Sequence, residues 1–237
     1  MTNTPQHPHH DRQEGHLAFG EKEHHVEGEK HRAHERPAAQ APRLLIVGPQ
    51  GSGKGTQAER IGEIFAIPAV STGDVFREHI KGETELGRQV KAVIANGDLV
   101  SDALTFEVLR DRLNQGDTGQ GFLLDGFPRN LTQVGLLDGF LEPRDEAIDA
   151  VIVLDVDRAV SIDRLTRRAF EQGRTDDTEE VIANRLSIYE RETEPIVQVY
   201  RDRGIVDLID GVGSLDAVTD RIIAALEARG IVRAAVA

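Results

Sequence analysis

The apolar run Leu44-Leu45-Ile46-Val47 stops at Gly48-Pro49-Gln50-Gly51-Ser52-Gly53-Lys54-Gly55-Thr56, and Lys54 to Phe65 then has helical spacing with no internal proline. Few architectures accept this succession. A short apolar run ending at glycine suits a buried parallel strand. The glycines let the backbone wrap closely around a phosphate with its N–H groups pointing inward. The helix N-terminus adds a favourable dipole, and Lys54 supplies a point charge for terminal phosphates. A ligand-free glycine turn would explain neither the lysine nor the spaced glycines. The segment reads as a P-loop.

Three further apolar runs fit the same plan. Phe122-Leu123-Leu124 ends at Asp125-Gly126, Val151-Ile152-Val153-Leu154 ends at Asp155, and Ile205-Val206-Asp207-Leu208-Ile209 precedes Asp210-Gly211. Each is followed by a helical stretch. Short apolar strands alternating with helices predict an α/β fold, a doubly wound parallel sheet flanked by helices. Ligands of such folds sit at the carboxyl ends of the strands.

The common P-loop has Ser or Thr directly after its lysine, where the hydroxyl meets Mg²⁺. Here that position is Gly55, which has no side-chain oxygen. Any magnesium is expected to be held mainly by nucleotide phosphates and water.

Composition divides the chain. Of 9 histidines in 237 residues, all but His79 lie before residue 35. Residues 1–42 carry few large apolar groups (Leu17, Phe19, Val26) and read as a disordered His-rich tail ending in a linker from Pro37 to Pro42. Residues 43–237 read as one domain. The tail's imidazoles suit Zn²⁺, Ni²⁺ or Cu²⁺, the alternative being a solvated extension with no metal role. The chain has no cysteine, which excludes disulfides, a thiolate nucleophile and cysteine-ligated zinc. No run of 18 apolar residues exists, so no membrane span is expected. Residues 1–30 hold no apolar stretch of the secretory type, which points to the cytoplasm. A net charge of −13 argues against a general nucleic-acid surface.

Two further motifs, Ser71-Thr72-Gly73-Asp74 with Arg77, and Asp125-Gly126-Phe127-Pro128-Arg129 with Gln133, join the Lys54-Gly55-Thr56 loop. Together they make the chain resemble the adenylate kinases from about Leu44 to Ala228, in the short-lid form of the nucleoside monophosphate kinases. The resemblance implies reversible phosphoryl transfer from MgATP to AMP, giving two ADP. It places ATP on Gly51, Ser52, Gly53, Lys54, Gly55, Thr56, Arg168 and Gly213, the last in a turn that passes the ATP adenine. It places AMP on Thr72, Arg77, Asp98, Leu99, Val100, Gly126, Phe127, Pro128, Arg129, Gln133, Arg174 and Arg185. Lys54, Arg129, Arg164, Arg168, Arg174 and Arg185 are the implied catalytic set, and Asp125 would orient Mg²⁺-bound water. Residues 71–100 would form a mobile AMP-binding segment and residues 167–177 a short lid without zinc. A monomer is the family default.

The residues agree with these implications in physical terms. Ser71 or Thr72 can cap a helix through Asp74, and either hydroxyl can meet a base edge. Arg129 with Gln133, and Arg164 with Arg168, have the spacing of one helix face. Arginine offers planar, permanently charged forks for phosphate oxygens. Gln50 departs from the family, which usually has proline there, and a tuned loop is expected. Two other readings stay open: a UMP or CMP kinase of the same family, and a metal-handling P-loop GTPase with a His-rich tail. By the same resemblance Thr72 with Gln133 favours AMP, and no guanine-recognition motif is present.

Overall fold

The computed structural model describes residues 41–172 and 178–233, excluding the side chains of Glu171 and Gln172. Residues 1–40 of the expected tail lie outside the described residues, as do Arg174, Asp176 and Asp177 of the expected lid.

Five parallel strands form one sheet: β1 (Arg43–Val47), β2 (Ala69–Ser71), β3 (Phe122–Asp125), β4 (Ala150–Asp155) and β5 (Val206–Asp210). Their order is β2-β3-β1-β4-β5, and Leu45 is in register with Leu124 on one side and Val151 on the other. The chain leaves β1 for β2 in one direction and later crosses to β4 in the other. The crevice between β1 and β3 is therefore the switch point where ligands of open α/β sheets bind. β1 and β4 alternate between two cores. Leu45, Val47, Val151 and Val153 pack on one face, and Leu44, Ile46, Ile152 and Leu154 on the other.

Helices α1 (Lys54–Phe65) and α9 (Leu215–Ala228) cover the second face. The first face is covered by α4 (Asp102–Leu113), α5 (Leu131–Leu141) and α8 (Glu194–Asp202). Between β2 and α4 lie α2 (Thr72–Lys81) and α3 (Glu85–Ala95). Beyond β4 come α6 (Arg158–Gln172) and α7 (Glu179–Ile188), with a π-helical turn at Tyr189–Thr193 before α8. Helix α1 buries Ala58, Ile61 and Phe65 at the expected spacing, and a full-sized side chain contributes about 1.5–3 kcal/mol on such burial.

One expectation about strands needs correction, and one strand was not expected. The run at 205–209 is not a buried strand. β5 is an edge on which only Ile209 is buried and Leu208 is 57% exposed. Ile205 stands before it and accepts the Val151 N–H at 2.8 Å. The other edge, β2, has three residues, too few for a periodic signal to reveal. Among the described residues, no helix is long and apolar enough to cross a membrane.

Candidate active site

The carboxyl ends of β1, β2 and β3 open into one cavity of about 570 Å³. The loop after β1 forms its floor. Gly51 has φ +81°, and a Cβ there would stand 2.4 Å from the carbonyl oxygen of Ser161, so only glycine lets the loop lie against α6. Lys54 opens α1 and turns its Nζ back onto the loop, donating to the carbonyls of Gly48 at 2.6 Å and Pro49 at 2.8 Å. Loss of water in this enclosed place lowers its pKa to about 8. Asp125 opposes that shift, and the positive charges of Arg129 and Arg168 add to it.

Asp125 ends β3 at the cavity wall. Burial raises its pKa, against the pull of Lys54 and Arg129. Its Oδ2 lies 3.7 Å from where a side chain on Gly55 would begin, so the glycine leaves open space in front of the carboxylate. A carboxylate facing the phosphate loop fits a Mg²⁺ ion that keeps most of its water, since this hard cation is usually held by one or two carboxylates plus phosphates. No group of three or more metal-ligating side chains exists among the described residues.

The Ser71-Thr72-Gly73-Asp74 motif divides its labour. Ser71 caps α2, its Oγ accepting the Asp74 N–H at 3.2 Å. Thr72 is buried, and its Oγ1 donates to the Gly126 carbonyl at 3.0 Å. Gly126 has φ +84°, and a Cβ there would crowd Thr72 Oγ1 and Arg129 Nη2 at 2.9 Å each. Arg77 pairs with Asp74 across one helical turn. An ion pair so exposed is worth at most about 1 kcal/mol, so a phosphate can displace the carboxylate at little cost.

Arg129 and Gln133 do not share a helix face. Helix α5 begins at Leu131, after the Asn130 cap, and Arg129 lies in the preceding loop. Its Nε donates to the Gly126 carbonyl at 2.7 Å, and its backbone N–H donates to Gln133 Oε1 at 2.7 Å. Loss of water lowers the Arg129 pKa, with Asp125 opposing.

Arg164 and Arg168 do share a face of α6 and both line the cavity. Arg164 donates to the carbonyls of Ser52 at 3.2 Å and Gly211 at 3.1 Å, tying α6 to the loop and to the turn after β5. Arg185, on α7, reaches the Ile94 carbonyl at 3.4 Å. Helix α6 continues to Gln172, so the first part of the expected lid, residues 167–172, is helical.

Most sequence-predicted residues meet on this cavity: Gly51, Gly53, Lys54, Gly55 and Thr56 below, Thr72, Arg77, Asp98, Leu99 and Val100 on one wall, and Asp125, Gly126, Pro128, Arg129 and Gln133 on another, with Arg164, Arg168 and Arg185 above. Ser52 and Phe127 are buried behind the wall, Phe127 stacking on Phe106. Gly213 lies in the turn after β5 near Arg221, off this cavity. Gln50 lines the cavity, and its Oε1 is buried without a hydrogen-bond partner.

Three supporting residues escaped the sequence reading. Asp102, at the start of α4, accepts from Gln133 Nε2 at 2.7 Å. Thr193, in the π-helical turn, donates to the Arg129 carbonyl. Asn184 on α7 donates at 3.0 Å each to the Asn96 carbonyl and to Asp98 Oδ1. These links span 31 to 88 residues of sequence, and no local motif marks them.

Comparison with known proteins agrees with this geometry. The family model for adenylate kinase matches residues 46–205. The chain is 54% identical over 185 residues to an adenylate kinase of Kocuria rhizophila, covering 78% of this chain and 98% of that protein. It is 54% identical over 188 residues to that of Leifsonia xyli, covering 79% and 94%, and 49% identical over 185 residues to that of Bifidobacterium longum, covering 78% and 100%. Neither the pyrimidine-nucleotide reading nor the GTPase reading gains support from them. A P-loop sheet, a cation-lined cavity at its switch point and matches of this extent place the chain in the adenylate kinase family.

Proposed function

We propose that the protein transfers the terminal phosphoryl group of MgATP reversibly to AMP, giving two ADP. The observation that carries this reading is convergence. Lys54, Arg77, Arg129, Arg164, Arg168 and Arg185 line one cavity whose wall also holds Gln133. In a chain of net charge −13, so many cations on one cavity favour the binding of polyanions there.

Phosphoryl transfer asks for positioning and charge stabilisation more than for covalent help from the protein. The loop N–H groups and Lys54 hold the ATP phosphates, with Arg164 and Arg168 reaching them from α6. Arg77, Arg129 and Arg185 hold the AMP phosphate in line with the group to be transferred. Thr72 and Gln133 meet the AMP base, and no general base is invoked. Asp125 would hold a magnesium ion through the ion's water shell, and the ion would supply charge neutralisation to the phosphates. Residues 71–100 swing inward and the 167–177 segment closes, excluding the water that would otherwise accept the phosphoryl group. A monomer, the default in this family, is proposed as the working unit, with the cytoplasm as its place of action.

The test is an acceptor screen with the full chain and MgATP, following ADP against AMP, UMP, CMP and GMP. AMP is expected to give by far the highest kcat/KM. A preference for UMP or CMP would overturn the reading.

A further inference from the structure

The Gln133 side chain is 1% exposed and held by partners that cannot reverse their roles. The Arg129 backbone N–H donates to its Oε1 at 2.7 Å, and its Nε2 donates to Asp102 Oδ1 at 2.7 Å. A second amide repeats the pattern. The Gln133 backbone N–H donates to Asn130 Oδ1, and Asn130 Nδ2 donates to the same Asp102 oxygen, both at 2.9 Å. A backbone N–H only donates and a carboxylate only accepts. The direction of both amides therefore follows from their surroundings. A turned-over Gln133 would set NH₂ against N–H and oxygen against a carboxylate, two unmade bonds in a buried place.

The amide edge left for a ligand thus has a fixed order, with one lone pair on Oε1 and one hydrogen on Nε2. A 6-aminopurine matches it, giving its amino hydrogen to Oε1 and accepting at N1. A 6-oxopurine in the same pose offers the opposite pair, an oxygen and an N1–H. A glutamine free to turn over would read both bases equally.

We propose that Asp102 is a positioning residue for specificity: with the Arg129 N–H it locks Gln133 in the orientation that accepts a 6-aminopurine monophosphate and rejects a 6-oxopurine one. This rests on the reading of Gln133 as a base contact. Asp102 does not line the cavity, so its effect reaches the ligand only through the two amides it holds.

The test measures kcat/KM for AMP and for inosine monophosphate with MgATP in the unsubstituted protein and in Asp102→Ala, Asp102→Ser and Asp102→Asn. Serine keeps a polar residue in the first turn of α4 should the alanine variant fail to fold. Removing the fixed acceptor is expected to cut the AMP-to-inosine-monophosphate ratio roughly ten- to a hundredfold, the scale of one hydrogen bond to a charged group. Asparagine should keep the ratio within about threefold, because the two amides it faces still demand an acceptor. An unchanged ratio in the alanine or serine variant, with both acceptors slowed alike, would make Asp102 merely structural and overturn the lock. A ratio lost equally in the asparagine variant would overturn it too, leaving charge rather than direction as the cause. A starting protein that does not prefer AMP would instead overturn the base-contact reading.

Discussion

Thr193 Oγ1 donates a hydrogen bond of 2.9 Å to the backbone carbonyl of Arg129. The bond joins the π-helical turn between α7 and α8 to the loop that carries a central arginine of the cavity. Such turns recur at functional sites because one extra residue re-aims a side chain. Replacing Thr193 by valine keeps the shape and removes the donor. Stability is expected to fall by about 1–2 kcal/mol, the cost of an unmade buried bond. The KM for AMP should rise while that for ATP holds, as urea unfolding and steady-state kinetics would record. Equal changes in both KM values would contradict the link.

Arg129 itself is positioned by three hydrogen bonds: its Nε donates to the Gly126 carbonyl, its backbone N–H donates to Gln133 Oε1, and its own carbonyl accepts from Thr193 Oγ1. Arg129→Ala should lower kcat by about 10²–10³, the scale seen when one donor to a developing charge is deleted. The fold should survive. A coupled assay of ADP formation reads the first effect and the unfolding midpoint the second. Near-normal turnover would remove Arg129 from the transfer step.

The pKa of Lys54, lowered to about 8, gives the free protein an alkaline limb. As pH rises through that value the lysine loses its charge, and kcat/KM for ATP should fall with an apparent midpoint near it. Burial sets the limb, Asp125 raises it and Arg129 lowers it. Asp125→Asn should therefore move the midpoint to lower pH, and Arg129→Ala to higher pH. The same shift acts on folding. Below pH 8 the buried charge costs stability, and the cost fades as pH climbs toward the ordinary 10.5 of the unfolded chain. A profile flat from pH 7 to 9.5 would deny Lys54 this role.

Asn184 clasps the far end of the 71–100 segment through Asn96 and Asp98. Both bonds are exposed, so Asn184→Ala should change stability by less than about 0.5 kcal/mol. If the segment swings during the cycle, the variant should bind AMP several-fold more weakly with ATP affinity unaltered. Equilibrium titration of each nucleotide would check it.

Much of the core was legible because its signals are local. Leu44 to Phe65 announces a strand, a phosphate loop and a helix within one window, and α1 runs between the expected ends. The Asp125–Arg129 run revealed the second wall in the same way. Local spacing also misled. Four residues between Arg129 and Gln133 suggest a shared helix face, but Asn130 caps α5 and puts the arginine outside it. Burial of β5 was invisible for another reason. An apolar run does not say whether the sheet continues beyond it, and among the described residues no strand pairs with the outer side of β5. Asp102 lay further from view, since its meaning depends on a glutamine 31 residues away.

The contact of Gly51 with Ser161 makes the phosphate loop a fulcrum. Helix α6 rests on the loop near its start and carries Arg164 and Arg168 along a lever arm that ends at Gln172. From Ser161 to Gln172 the arm is about 16 Å at 1.5 Å per residue. A tilt of about 10° moves its tip by about 3 Å and leaves the pivot in place. Any movement of the tip is thus geared directly to the loop at the floor of the cavity. A methyl group on Gly51 would unseat the pivot and disable both ends at once.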